Sequence, residues 1–471
     1  MLAPCSQAFQ VRIQMDFVHN KFHFPKLLAS EFSIELLNES LNLPVINRPN
    51  FVICVFDSLS MVDFDLLARN STLTALSQLC QSGVSFTRCY TPNPQSSPAR
   101  ASLFTGLDPA VHGLWTNGVE LPASEQTFIE RLANAGYCTY LAGRVQLAGV
   151  SRWTTEHISK TYTRSHWAHG PLHRSRQNAW LQWLQQEAPE HHVRIFQTQA
   201  DPDKTIIESQ QRTALAALPD ELSFNYWVGQ QLCTSIANNP KDMPFVAVAG
   251  FSVGDGLGAE PHPDGDGEEL NEQALKQADA ALAQLHQQLL ADKLADDTIV
   301  IAISARGNAN PEDAESQMKE RSLRVPLIIN HSKAGQGCID TPVSVMDLAP
   351  TVLALANVDT SPRIQGCSLL EVLRGTVASK GWILSRLRHR SSSGADNWQT
   401  AYCTESMKLV VKHKHKSKIT TALYAIDTDP DELNNLAILP EYAAELETMI
   451  DQMIDARCAL EDRTEPRIAE F

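Results

Sequence analysis

The chain has 471 residues, of which 43% are hydrophobic and 20% are charged, and this composition is ordinary for a globular protein that buries a large core. Its formal net charge of −15 argues against a general affinity for nucleic acids or for anionic membranes. An anionic ligand would need local positive charge against this acidic background.

Cysteines and apolar residues indicate the compartment. The ten cysteines are scattered singly, without a CxxC pair or the spacing of a disulfide module, which is typical of a reducing compartment. The N-terminus lacks the basic start and apolar run of a signal peptide. No run of about 18 apolar residues is long enough for a transmembrane helix. We therefore expect a cytoplasmic protein.

Residues 1–47 form an extension of mixed character, and from residue 49 onward strands and helices alternate. The continuous apolar run FVICVF (51–56) predicts a buried parallel strand. LTALSQLCQSG (73–83) and TFIERLANAG (127–136) have helical spacing, and each ends at a glycine before a new strand. This alternation of strands and helices predicts a mostly parallel sheet with helices on both faces.

Residues 150–220 are rich in His, Trp, Arg and Gln and do not fit this alternation of strands and helices. The close pair His166 and His169 is badly spaced for two metal ligands on one helix face and has no acidic neighbour in sequence. We interpret the region as a variable insertion, a loop whose histidines are solvated. The histidines in question are His157, His166, His169, His173, His191 and His192.

The last part of the chain predicts a smaller unit. Residues 270–290 form an amphipathic helix within the first domain, which we place at 48–375. From about residue 376, alternating strands are followed by an amphipathic helix at 441–460. We therefore expect a C-terminal α+β subdomain at 376–471.

The most informative stretch is Gln95–Gly106, QSSPARASLFTG, which opens a helix directly after the strand VSFTRCY. Free backbone N–H groups and the helix dipole favour an anion at such a junction. Ser96 beside the guanidinium of Arg100 would suit a nucleophile that attacks a tetrahedral oxyanion ester. The alternative is an ordinary serine N-cap with a surface arginine.

The motif Ser96-Ser97-Pro98-Ala99-Arg100, followed by a helix that ends in Thr105-Gly106, resembles the signature of the sulfatases, members of the alkaline-phosphatase-like superfamily. The resemblance implies that Ser96 is the precursor of formylglycine, whose hydrate attacks sulfur, and that Arg100 holds this nucleophile. It also implies a partner, a maturase that acts on Ser96, and a small anionic ester as substrate or ligand.

Further blocks resemble the family in the same order, from about residue 48 to 440, and the resemblance fails in 150–220. It implies an α/β fold with an alkaline-phosphatase-like core, a mostly parallel sheet flanked by helices, and a smaller C-terminal antiparallel sheet. It also implies calcium, which favours several oxygen ligands. The family has an Asp pair where this chain has Asp57-Ser58, and a Ser-Asp-His-Gly turn where it has Ser304-Ala305-Arg306-Gly307.

Other family positions have changed as well. The Gly-Lys-x-His turn is Gly143-Arg144-Val145-Gln146 here, so Arg144 can hold an anion but Gln146 cannot exchange a proton. Lys319 matches a sulfate-contacting lysine only loosely. His262 follows Pro261 but comes later than the family's Pro-His pair.

Three hypotheses remain open at this stage. The first is a hydrolase of sulfate monoesters, with Ser96 as formylglycine precursor and Asp57 as the remaining metal ligand. The second is a degenerate sulfatase-like protein that binds an anionic ligand or a partner, with Arg306 in the electrostatic place of the metal. The third keeps Ser96 unmodified, as the nucleophile of phosphoryl or sulfuryl transfer. Alternatively, Arg306 points to solvent in an unused site.

Overall fold

The computed structural model describes residues 48–69, 73–150, 156, 161–196, 204–253, 266–308, 316–331, 335–374, 380–390, 396–413 and 419–461. The predicted N-terminal extension 1–47 and His262 lie outside these ranges. None of the helices within them is long and apolar enough to cross a membrane.

The larger sheet has nine strands in the order β4-β3-β5-β1-β6-β7-β2-β8, with β9 beside β2. β1, β3, β4, β5 and β6 run parallel to one another, whereas β7 is antiparallel to both β6 and β2. The strands are β1 (Asn50–Phe56), β2 (Val84–Tyr90), β3 (Cys138–Gly143), β4 (Arg164–Trp167), β5 (Phe245–Gly250), β6 (Thr298–Ser304), β7 (Arg324–Asn330), β8 (Gly337–Ile339) and β9 (Val343–Ser344).

Helices cover both faces of this sheet. They are α1 (Met61–Arg69), α2 (Thr74–Ser82), α3 (Ser96–Thr105), α4 (Pro109–His112), α5 (Phe128–Asn134), α6 (Ala179–Glu187), α7 (Pro189–Phe196), α8 (Lys204–Ala216), α9 (Phe224–Ala237), α10 (Asp266–Ala291), α11 (Glu320–Leu323), α12 (Leu348–Leu355) and α13 (Leu370–Leu373). Short 3-10 turns lie at Asp220–Leu222, Ala295–Asp297, Ser316–Met318, Val345–Asp347, Leu436–Ile438 and Pro440–Tyr442.

Strand β1 shows why the apolar residues of the central strands follow one another without interruption instead of alternating with polar residues. Phe51, Ile53 and Val55 pack into the core on one face, which contains α3, α5 and α12. Val52 and Cys54 pack into the core on the opposite face, together with α2, α9 and α10. A strand buried on both faces needs apolar residues at every position. The predicted fold class is confirmed.

The smaller sheet is antiparallel, in the order β10-β11-β12-β13. Its strands are β10 (Ile383–Arg390), β11 (Asp396–Cys403), β12 (Met407–His413) and β13 (Thr420–Ala425). The last helix, α14 (Ala443–Glu461), packs Met449 and Met453 against Leu409 and Leu423 of this sheet. The predicted C-terminal antiparallel sheet with its helix is therefore present.

The interpretation of 150–220 as a loop is wrong for the part that the structure describes. This part holds the edge strand β4 and helices α6, α7 and α8. Trp180 and Leu184 of α6 are fully buried, and so is Ile195 of α7. The apolar spacing of Trp180, Leu181 and Leu184 is helical, but the surrounding polar residues obscured it.

A buried ionic group connects the two sheets. The Lys408 ammonium on β12 lies 3.1 Å from Glu320 and 2.7 Å from Glu432, and all three side chains are buried. Tyr90 of β2 donates its hydroxyl to Glu320 at 3.0 Å. Burial opposes the charge of Lys408, but Glu320 and Glu432 outweigh it and raise the pKa of this ammonium.

Replacing Lys408 by methionine tests this connection. Lys408→Met leaves two buried carboxylates without their cation, so we expect the free energy of unfolding to fall by about 3–5 kcal/mol in urea denaturation. The matched control is Lys276→Met, because Lys276 is exposed and pairs with Glu272 one turn away on α10. Such a pair contributes only about 0.3–0.5 kcal/mol. Similar small losses in both variants would contradict the coupling of the sheets.

Candidate functional site

The candidate site lies at the carboxyl edge of the parallel strands. Asp57 directly follows β1, Arg144 follows β3, and Ser252 comes two residues after β5. Arg306 comes two residues after β6. The carboxyl ends of parallel strands meet at one edge of a sheet, which is where open α/β folds bind ligands. Four segments far apart in sequence therefore converge here.

Ser96 is the first residue of α3, and its hydroxyl points toward this edge. It lies 3.4 Å from Oδ1 of Asp57 and accepts a hydrogen bond from Nε of Arg306 at 2.7 Å. The N-cap position belongs to Gln95 instead, whose side chain makes no capping bond. Arg100 is fully buried rather than on the surface. The interpretation as an ordinary serine N-cap with a surface arginine is therefore wrong.

Three guanidinium groups surround the carboxylate of Asp57. Oδ2 lies 3.0 Å from Nη1 of Arg144 and 4.0 Å from Nη2 of Arg100, and Oδ1 lies 3.5 Å from Nε of Arg306. All four side chains are at most 6% exposed. Within this group, positive charge exceeds negative charge in surroundings where water screens poorly.

Hydrogen bonds to the backbone and to neighbouring side chains fix the guanidinium groups. Arg100 donates to the carbonyl of Arg144 at 3.2 Å, and Arg306 donates to the carbonyl of Gly307 at 3.1 Å. Arg144 donates to the Ser252 hydroxyl at 3.3 Å. The side-chain amide of Asn225 on α9 accepts the backbone N–H of Ser252 at 2.9 Å and donates to the backbone carbonyl of Ser252 at 3.0 Å. The arginines are thus held in place by the fold.

The turn after Arg144 is held by a buried carboxylate. Glu156, with no exposed surface, accepts the backbone N–H groups of Gln146 (2.9 Å) and Leu147 (3.0 Å). Gln146 has a φ of +59°, which non-glycine residues rarely adopt. At Gly143 a Cβ would lie 2.2 Å from the carbonyl oxygen of Gly250, so only glycine fits between β3 and β5 here.

Two histidines of the supposed insertion also reach this edge. β4 pairs with β3, and the backbone N–H of Ala168 donates to the carbonyl of Gly143 at 3.0 Å. Nδ1 of His169 lies 3.7 Å from Glu156, and the rings of His169 and His173 are 4.5 Å apart. Both rings are partly buried. The sequence analysis missed them because their acidic partner lies 13 positions before His169 and their location depends on strand pairing.

Lys319 lies elsewhere on the surface. It is exposed at the start of α11, and no described contact joins it to the group around Asp57. Two backbone N–H groups, from Leu433 and Asn434, lower the pKa of Asp429, and the charge of Lys319 adds to this effect.

The residues around Asp57 do not fit calcium. Calcium takes six to eight oxygen ligands, whereas this group offers the Asp57 carboxylate and the Ser96 hydroxyl. Ala305, at the position of the family's aspartate, has only a buried methyl group. The Arg306 guanidinium stands 3.5 Å from the same carboxylate. Within the described residues, no three His, Cys, Asp or Glu side chains are arranged to hold a metal ion.

Comparison with known proteins agrees with this architecture. The sulfatase family model matches residues 49–252 and 261–358, and the model of the C-terminal region of N-sulphoglucosamine sulphohydrolase matches 315–459. The chain is 25% identical to the uncharacterized sulfatase YidJ of Escherichia coli (strain K12), over 87% of each chain. It is 23% identical to a choline-sulfatase of Rhizobium meliloti, over 83% of each.

A solved structure shows the same fold. The phosphonate monoester hydrolase from Silicibacter pomeroyi superposes with a TM-score of 0.68 at 18% identity, covering 90% of this chain and 97% of that one. The family model covers well over half of the chain, and the predicted membership of the sulfatase family is confirmed. The chain belongs to the sulfatase family.

Proposed function

We propose that this site binds a tetrahedral oxyanion of the sulfate type through arginines rather than through a metal ion. The observation that carries the proposal is the position of Arg306, which donates to Ser96 at 2.7 Å and lies 3.5 Å from Asp57. A fixed positive charge thus lies beside both the candidate nucleophile and the carboxylate, in the turn where the family has metal ligands.

The chemistry of guanidinium suits such a ligand. Its planar fork of N–H donors matches the oxygens of sulfate and phosphate groups, and burial strengthens each charge-assisted hydrogen bond. The three arginines approach Asp57 from different segments: Arg100 from α3, Arg144 from the turn after β3 and Arg306 from the turn after β6. The N-terminus of α3 adds the positive end of a helix dipole. The site therefore supplies several donors for one oxyanion.

Binding does not imply turnover. Hydrolysis also needs proton transfer to the leaving group, and Gln146 stands where the family has a histidine. The second candidate function is nevertheless hydrolysis of sulfate monoesters, with Ser96 as formylglycine precursor. It is supported by the position of Ser96 on the first turn of α3, 3.4 Å from Asp57. Phosphoryl or sulfuryl transfer by unmodified Ser96 is the remaining alternative.

Calorimetric titration with sodium sulfate tests the anion site. We expect Arg306→Met to bind sulfate at least about 30-fold more weakly than the wild type, because truncating a buried charge contact costs about 2 kcal/mol or more. Arg374→Met is the control, since Arg374 is half-exposed and pairs with Glu371 on α13. Equal affinity in the wild type and Arg306→Met would contradict the proposal.

Calcium should leave the protein unchanged. A metal present at a hundred times its Kd adds about 2.7 kcal/mol to the free energy of unfolding. We expect the wild-type Tm to be the same in millimolar calcium and in excess chelator. The double variant Ala305→Asp, Arg306→Asn replaces a cation by two oxygen ligands and should gain calcium-dependent stabilisation. A wild-type Tm that rises with calcium would show that a metal site exists.

The mass of the tryptic peptide that contains Ser96 separates the two candidate functions. Oxidation of serine to formylglycine removes two hydrogen atoms, whereas the anion-binding proposal expects an unmodified peptide. The measurement is made on protein from its native host, beside an assay with an aryl sulfate. An oxidised peptide with turnover that Ser96→Ala abolishes would favour the hydrolase.

A further inference from the structure

The imidazole rings of His169 and His173 lie near a site whose other described charged groups are one carboxylate and three guanidinium groups. Both residues follow β4, whose carboxyl end lies beside that of β3 and therefore beside Arg144. Trp167 contacts both rings, at centroid distances of 6.4 and 6.3 Å. The pair is thus fixed at the same edge of the sheet as the guanidinium groups.

Two charged groups act on the pair. Glu156 lies 3.7 Å from Nδ1 of His169 and is held by the turn that follows Arg144. The charge of Arg144 acts on His173. Tyr162 faces Glu156 as well, but burial, reinforced by the charge of Glu156, raises the pKa of Tyr162 and keeps it neutral. The groups that set the charge of the pair are therefore Glu156 and Arg144.

Nδ1 of each ring is buried without a hydrogen-bond partner within the described part of the chain. Nδ1 is the ring nitrogen of His169 that faces Glu156. Burial, followed by the charges of His169 and Arg144, lowers the pKa of His173 to about 4, so this ring is neutral at pH 7. A doubly charged oxyanion beside Arg144 would offset the positive charge that opposes protonation.

We propose that the rings of His169 and His173 line the oxyanion site and that the pair accepts one proton when a ligand binds. A dianionic ligand would then bind beside Arg144 together with one proton from solvent. The inference rests on the proposed function and names the ligand class more closely, as a dianion of the sulfate type. Gln146 has lost the family's titratable group, and this pair restores one from a different strand.

The sign of the pH dependence follows from linkage. Ligand binding raises the pKa of the pair, so the complex holds more protons than the free protein. Affinity therefore increases as the pH falls, by at most about tenfold per pH unit for one proton. Sulfate suits the measurement because it remains a dianion from pH 8 to pH 6, and any change in affinity then belongs to the protein.

The experiment is calorimetric titration of the full chain with sodium sulfate at pH 8, 7 and 6, in two buffers of different ionisation enthalpy. For the wild type we expect affinity to increase several-fold from pH 8 to pH 6, with proton uptake visible as a difference in heat between buffers. The double variant His169→Gln, His173→Gln should bind at pH 8 and lose both the pH dependence and the proton uptake.

His192→Gln on α7 serves as the control and should behave as the wild type. A purely structural role of the pair would lower affinity equally at every pH, which would overturn the inference. Wild-type binding that is independent of pH would also overturn it while leaving the arginine site intact. If sulfate does not bind the wild type at any pH, both the proposed function and this inference fail.

Discussion

The contact between Asp57 and three guanidinium groups is the interaction on which the site depends. A single buried carboxylate holds together side chains from α3, the turn after β3 and the turn after β6. Buried charges lose hydration, and such groups often contribute little net stability. Their geometry is specific, however, because hydrogen bonds to the surrounding chain hold each guanidinium in place. The cluster is therefore better explained by a binding role than by stability.

The C-terminal sheet contributes to the same arrangement from outside. β10 docks on the loop before Ser96, with the backbone N–H of Arg386 donating to the carbonyl of Pro92 at 2.8 Å. Asn93 returns a hydrogen bond to the carbonyl of Arg386 at 2.7 Å and also accepts the N–H of Gln95 at 2.8 Å. The buried ammonium of Lys408 ties the same sheet to α11. The position of Ser96 thus depends on contacts between the two sheets.

The pattern of apolar residues along the sequence predicted most of the fold, because strands buried on both faces leave continuous apolar runs such as the one at β1. The motif at Ser96 could be recognised because a helix N-terminus, a serine and an arginine one turn apart form a local unit. The histidines at 169 and 173 could not be placed in this way. Their location follows from the pairing of β4 with β3, and this pairing joins segments that the sequence separates by polar residues.

Ala305-Arg306 stands where the family has an acidic residue, and it reverses the charge at this point of a fold that is retained. A calcium ion acts as a Lewis acid and accepts ligands from many directions. A guanidinium supplies a similar charge, but in a plane and through N–H donors that cannot polarise an oxygen by coordination. The site would therefore keep its preference for an oxyanion and lose the metal's assistance to bond cleavage. Any hydrolysis would depend on proton transfer, and the titratable rings at this edge belong to His169 and His173.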